Sequence, residues 1–414
     1  MTPPRPLACL LALVGAGTAL LGQGVLAPTA APAPTQKSLQ EIWDKVAALE
    51  TQQLAAQQQL LATRQQLASL LQNSGTSLPW RIATVDTGGA GYYSALAFSP
   101  SGQPAISYSY SAPNSGLDVD LRFARFNGST WDLTTVDSAG RTGLSTSLAF
   151  SPTGQPAISY FDNTYNHLRF AQFNGSTWDL VTVDGTNGVG SDTSLAFSPD
   201  GQPAISYSDE DSSDLKFARF DGSAWVITTI DSVGYVGRST SLAFSPAGRP
   251  AISYFDYTNG DLKFAQFNGS TWDIATVDSA GSVGVFTSLK FSPAGQPVIG
   301  YYDATNADLK FAQFNGSTWT TTTVDSTGDV GQNASLAFSP AGQPAIGYYD
   351  ATNGDLKFAQ FNGTAWTCAT VDGNGNVGQY LSLVFSPAGL PAISYMDVGN
   401  NALKFATCVP FTSP

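Results

Sequence analysis

Histidine is almost missing from this chain. His167 is the only one in 414 residues, which excludes a His-rich metal site and any catalytic triad built on another histidine. Basic residues are scarce too, with 18 Lys plus Arg against 31 Asp plus Glu and a formal charge of −13. Nucleic acid and anionic lipid both select clustered Lys and Arg, so neither is an expected partner. Cysteine is limited to Cys9, Cys368 and Cys408, too few for a disulfide scaffold. Only one long apolar run exists, Leu7 to Leu21, and it is too short and Gly-rich for a membrane span. With Arg5 before it and small residues after it, residues 1–34 read as a signal peptide and small-residue spacer. The expectation is a bacterial protein that is secreted or held at the cell surface or in the periplasm, without membrane insertion. In such an oxidising compartment Cys368 and Cys408 read either as a disulfide or as two unrelated buried thiols.

Residues 37–72 are different in character. Taking Leu39 as heptad position a places Leu39, Val46, Leu60 and Leu67 at a, and Ile42, Leu49 and Leu70 at d. This seam predicts a coiled-coil helix roughly 50 Å long, at 1.5 Å per residue. Ser38 and Glu41 supply a capping box, and Gln53 is a polar seam residue of the kind that fixes register. The expected role is self-association through residues 39–70; a helix folded back on its own globular part is the alternative. Residues 73–79 follow as a turn-rich linker, and 409–414 form a C-terminal tail.

What fills the rest is repetition. Tryptophan recurs at Trp80, Trp131, Trp178, Trp225, Trp272, Trp319 and Trp366, in steps of 51 residues once and then 47 five times. Within the 241–287 unit, four apolar-alternating runs are separated by Ser245-Pro246-Ala247-Gly248, Asn259-Gly260 and Asn268-Gly269, all of them turn chemistry. Four short strands in 47 residues make one blade, so residues 80–408 are predicted to form an all-β, seven-bladed β-propeller. The region opens on a fourth-type strand, WRIATVD, and ends on a third-type strand, LKFATC. The two ends should therefore pair and complete blade seven.

The turn before each Trp strand resembles the Asp-box of sialidase-type propellers, through Gly128–Trp131, Gly175–Trp178, Gly269–Trp272 and Gly316–Trp319. The box aspartate is replaced by Phe126, Phe173, Phe220, Phe267, Phe314 and Phe361, so the resemblance supports the blade assignment and implies nothing for sialidase catalysis. Residues 80–408 also resemble secreted bacterial propellers, some of which are sugar-binding lectins. That resemblance implies a lectin-like function by analogy only.

Two polar rings repeat with the blades. One is the Asp that ends TVD or TID: Asp86, Asp137, Asp184, Asp231, Asp278, Asp325 and Asp372. The other is a YxD group, made of Tyr160 and Asp162, Tyr207 and Asp209, Tyr254 and Asp256, Tyr301 and Asp303, Tyr348 and Asp350, and Tyr395 and Asp397. Blade one departs, with Tyr108 followed by Tyr110 and a longer 109–119 loop. The second-to-third and fourth-to-first loops share one face of the disc, and the YxD acids and tyrosine rings displayed there are the expected binding residues for a hydroxyl-rich ligand; the alternative is that each Asp caps its own turn. Lys216, Lys263, Lys310 and Lys357, each following Asp-Leu, read as paired or solvated strand residues. The 256–261 segment has hairpin chemistry and lacks the acids of a calcium loop. The near-identity of the units favours several equivalent binding sites over one catalytic centre. The expectation is a non-enzymatic, glycan-binding protein with no cofactor. A scaffold or adhesion module binding surface protein or matrix is the alternative, with a glycoside hydrolase or lyase third.

Overall fold

The computed structural model describes residues 79–112 and 118–408, together with residues 41, 43–49, 51–52, 55 and 59. Residues 43–49 are helical. The signal-peptide, most of the coiled-coil and linker, and the tail assignments lie outside the described residues, as does the middle of the blade-one loop. No described helix is long and apolar enough to cross a membrane.

Residues 81–407 form seven four-stranded antiparallel sheets. Blade four is representative: Arg238–Phe244 is innermost, then Pro250–Asp256 and Asp261–Phe267, with Trp272–Asp278 outermost. Each second strand begins at a proline (Pro250 in blade four), and the first residue of a strand tolerates a missing N–H. Second strands have no solvent face; Pro203–Asp209 and Pro250–Asp256 are buried at every residue. Outermost strands are exposed along their middle four residues, as in Trp272–Asp278.

The core consists of layers between blades. Leu215 and Phe217 of blade three pack with Leu242, Ile252 and Tyr254 of blade four, and equivalent clusters fill the other interfaces. Apolar residues on both faces of a blade thus need a neighbour on each side, which a closed ring supplies. Closure is as the repeat permutation predicts. Arg81–Asp86 is the outermost strand of blade seven, paired antiparallel to Ala402–Thr407, with Ile82 opposite Ala406 and Ala83 opposite Phe405. On the inside, the Leu96 amide donates to Ser382 Oγ across the blade seven–one seam at 3.1 Å. The same bond joins Leu195 to Ser147 and Leu242 to Ser194, each at 3.0 Å. Where other inner strands have this serine, blade one carries Ala95, and its seam with blade two lacks the bond for want of a hydroxyl.

Each innermost strand shifts register near its start, in blade four between Arg238 and Ser241. This bulge places one non-glycine residue per blade at positive φ: Tyr93, Ser145, Asp192, Ser239, Phe286, Asn333 and Tyr380, all between 48° and 55°. Just before it, Gly284 at φ +103 lies against the Leu262 backbone, where an added Cβ would come within 2.8 Å of Leu262 Cα.

Candidate functional site

The YxD tyrosines are not a surface. Tyr160, Tyr207, Tyr254, Tyr301, Tyr348 and Tyr395, with Tyr108, are 0% exposed. Each phenol crosses a blade interface and donates to the TVD or TID aspartate ending the preceding blade. Tyr254 reaches Asp231 at 2.7 Å and Tyr301 reaches Asp278 at 2.7 Å. Tyr207 reaches Asp184 at 2.8 Å, and Tyr108 reaches Asp86 across the closing seam at 2.7 Å. Burial, then the acceptor carboxylate, pushes these phenols far above their ordinary range, except that at Tyr348 the neighbouring Cys368 contributes ahead of Asp325. The period-two alternation of the second strand turns Tyr into the neighbouring blade, which is why no ring face is available to a sugar.

The YxD carboxylates are consumed as well. Asp256 accepts from the Asn259 amide at 3.1 Å and its side chain at 2.9 Å; Asp303, Asp350 and Asp397 do the same with Asn306, Asn353 and Asn400. Asp162 and Asp209 cap their hairpins through Thr164 and Ser212, at 3.0 Å each. A third-strand cation then joins the two rings. Lys263 lies 3.0 Å from Asp256 and 3.5 Å from Asp231; Lys310 lies 2.7 Å from Asp278 and 3.6 Å from Asp303. Lys357 and Lys404 bridge likewise, Arg169 spans Asp137 and Asp162, and Lys216 pairs with Asp209 alone. Burial would raise the Asp278 and Asp325 carboxyls, but the donated bonds of Lys310 with Tyr301, and of Lys357 with Tyr348, hold both below the usual range. Turn capping therefore accounts for the six YxD aspartates and inter-blade hydrogen bonds for the six tyrosines, and the acid-and-tyrosine ligand face is corrected to a blade-to-blade fastening.

The two described thiols are free. Cys368 sits on the outermost strand of blade six with its sulfur 3.7 Å from the Val324 carbonyl of blade five, facing away from blade seven. Cys408 follows the third strand of blade seven, and burial pushes its thiol up to about 12. The disulfide reading is corrected accordingly.

The turns before the Trp strands are built by asparagine. Asn127 Oδ1 accepts from the Ser129 amide, the Ser129 hydroxyl and the Thr130 amide, each at 3.0 Å. Asp221 does the same work in blade three, and those donors, the Ala224 amide first, lower its carboxyl. This is an Asx turn, with the side chain one residue later than the Asp-box aspartate.

Open, ligand-accessible geometry occurs elsewhere, in clefts between blades at the rim. Strand alternation puts the first-to-second and third-to-fourth turns on one face of the disc, opposite the face carrying the YxD hairpins. On that side the cleft between blades five and six encloses 650 Å3, that between three and four 450 Å3, and that between four and five 260 Å3. Each is floored by the landmark Trp of one blade set edge-on against a third-strand Phe of the blade before. The centroids are 5.3 Å apart for Phe217 and Trp272, 5.2 Å for Phe264 and Trp319, and 5.2 Å for Phe311 and Trp366. The pair recurs at all seven interfaces, including Trp80 on Phe358 and Trp131 on Phe405 at 5.4 Å. The tryptophans are half-buried throughout. Beside them lie amides and charges: Gln313 and Gln343 in one cleft, Gln266, Asp273 and Gln296 in another, and Gln202 with the Asp200–Arg219 ion pair (2.9 Å) in the third. In the sequence the tryptophans mark the repeat; the signal for a site is that Phe and Trp recur in one phase in every unit, with Gln beside them in most.

No protein-family model matches this chain, and none of the curated proteins does. Solved structures match in fold. An ulvan lyase of polysaccharide lyase family PL25 aligns with a TM-score of 0.55 at 12% identity, covering 78% of this chain and 95% of that one. Hydrazine synthase from Kuenenia stuttgartiensis aligns at 0.54 and 11% identity, covering 78% and 96%. A protein of unknown function from Dyadobacter fermentans aligns at 0.51 and 11%, covering 79% and 98%. At these identities the likeness is one of propeller architecture alone.

Proposed function

We propose that this chain is a multivalent, non-enzymatic glycan-binding protein whose binding sites are the inter-blade clefts of the rim. The observation that carries the reading is the sevenfold recurrence of a half-buried Trp seated on a Phe, with glutamine side chains in all three clefts described and acidic ones in two of them. An indole beside an open cleft packs on the C–H face of a sugar ring, while glutamine amides and carboxylates bond its hydroxyls. Sites of this kind are individually weak, and display of several on one rigid ring converts weak contacts into avidity. Export, and self-association through residues 39–70, belong to this reading because both would multiply the clefts shown to an extracellular polysaccharide.

A glycan array probed with the full chain tests it. Retention on a defined set of glycans is expected, with loss of most signal when Trp272, Trp319 and Trp366 are changed together to Ala. Absence of retention on any glycan, or retention unaffected by the triple variant, would count against the proposal.

A second reading, a scaffold that binds protein or matrix, is favoured by the apolar residues exposed on outermost strands: Ile82, Leu133, Val181, Val226, Ile227 and Ile274. Pull-down of a partner that free sugars do not compete away would support it. A hydrolase or lyase reading finds less support, because Asp231 and Asp256 are both held by Lys263, and Asp278 and Asp303 both by Lys310, which occupies the carboxylates that an acid and a base would need free.

A further inference from the structure

The blades diverge in sequence at the bulge of the innermost strand, and there the seven residues come together around the axis, lining a pocket of 230 Å3. Its walls are unequal. Tyr380 and Tyr93 are neighbours with ring centroids 4.8 Å apart. Phe286 stands in blade five. Across the ring, in blade three, is Asp192, flanked by the small side chains of Ser145 and Ser239. Sevenfold geometry places Asp192 opposite Asn333 and Tyr380, so a carboxylate faces aromatic rings over the pocket.

Two properties set this ring apart from structural filling. First, every member has φ near +50°, a region in which a non-glycine residue carries strain of order 1–3 kcal/mol. Asn and Asp tolerate it, but bulky aromatics do so rarely, and three of the seven positions are Tyr or Phe while none is Gly. Second, Asp192 is under-compensated. It accepts one bond, from the Ser239 amide at 3.1 Å. The nearest cation, Arg238, is 3.9 Å away and is shared with Glu210 at 3.3 Å and the Tyr235 hydroxyl at 2.7 Å. Two carboxylates against one guanidinium leave one net negative charge at this side of the mouth. The Asp192 side chain remains 33% exposed, so it can be reached from the pocket. Arg141, the other cation felt at the ring, acts on Tyr93, beyond Ser145.

We propose that the axial pocket binds a small organic cation, an amine or quaternary ammonium, with its charge at Asp192 and its alkyl groups against Tyr93, Tyr380 and Phe286. Ring faces attract a desolvated cation through their quadrupole, and the facing carboxylate supplies the full counter-charge. The site is single, polar and near the axis, whereas the rim clefts are repeated and lie between blades at the edge of the disc. Its success or failure is therefore independent of glycan binding.

Isothermal titration of the full chain with choline, and with dimethylbutanol as its uncharged carbon isostere, tests the assignment. One choline per chain is expected, with the isostere at least tenfold weaker. Asp192→Asn keeps an acceptor for the Ser239 amide and suits positive φ, and it should weaken choline at least tenfold. Tyr380→Leu should weaken it about fivefold, and Trp272→Ala in a rim cleft should leave it unchanged. The proposal is overturned if choline does not bind, if both probes bind equally, or if Asp192→Asn and Tyr380→Leu each retain wild-type affinity while melting as the parent does.

Discussion

Two substitutions of identical chemistry at equivalent sites should have unequal costs. Tyr207→Phe and Tyr301→Phe each remove one buried hydroxyl without making a cavity. At the first site, the Asp184 carboxylate receives the Tyr207 phenol on Oδ2, while Thr186 serves Oδ1 through its amide at 3.0 Å and its hydroxyl at 2.8 Å. No cation lies within salt-bridge distance of Asp184 among the described residues, because Lys216 pairs with Asp209. Loss of the phenol leaves Oδ2 buried and without a donor. At the second site, Lys310 remains 2.7 Å from Asp278 Oδ2 when Tyr301 loses its hydroxyl. A hydrogen bond to a charged group contributes about 1.5–3 kcal/mol, with the upper end applying when the partner is stranded. Tyr207→Phe should therefore cost about 3 kcal/mol and Tyr301→Phe about 1.5 kcal/mol. For a cooperative unit of roughly 330 residues these correspond to Tm drops of about 4 °C and 2 °C. Urea unfolding followed by tryptophan fluorescence measures both. Equal costs, or a larger cost at Tyr301, would refute the claim that Tyr–Asp bonds fasten the blades with lysine as a second clasp.

Two further outcomes follow from the same geometry. Gly284→Ala drives a Cβ to 2.8 Å from Leu262 Cα at φ +103, and should cost more than about 3 kcal/mol. Gly269→Ala, at φ +114 with nothing within 4 Å, should cost only the positive-φ strain of about 1–3 kcal/mol, less than Gly284→Ala, which adds the backbone clash to the same strain, and paired thermal melts separate the two. Asp278 and Asp325 have lowered carboxyls in the folded state. Their contribution is thus full above the unfolded aspartate value of about 3.9 and is lost as pH falls through the lower folded values. Stability should hold level from neutral pH to about 5 and then fall, and Lys310→Met should flatten that acid arm. A steeper acid arm in Lys310→Met would contradict the assigned sign.

Architecture was legible in sequence because it rests on local chemistry repeated many times. Ser-Pro-x-Gly, Asn-Gly and the strand alternation fix every blade, and the half-blades at 80–86 and 403–408 announce closure. Side-chain destination was not legible in the same way. Tyr254 and Asp256 lie two residues apart on one strand, so they share a face, and period-two reasoning cannot say whether that face meets solvent or a neighbouring blade. The answer depends on blade-to-blade packing, in which Tyr254 finds Asp231, 23 residues earlier. Cys368 and Cys408 illustrate the same limit, since adjacency of blades does not reveal which side of a strand a thiol takes. The divergence at Tyr93, Asp192, Phe286 and Tyr380 was present in the repeats. It becomes meaningful only when the bulge gathers those positions at the axis.

The most direct test of the rim-cleft account is a count of bound glycans per chain by native mass spectrometry, using an oligosaccharide selected on the array. More than one bound oligosaccharide per chain is predicted, with one lost for each of Trp272→Ala, Trp319→Ala and Trp366→Ala in turn. A single bound glycan that none of these changes removes would contradict it.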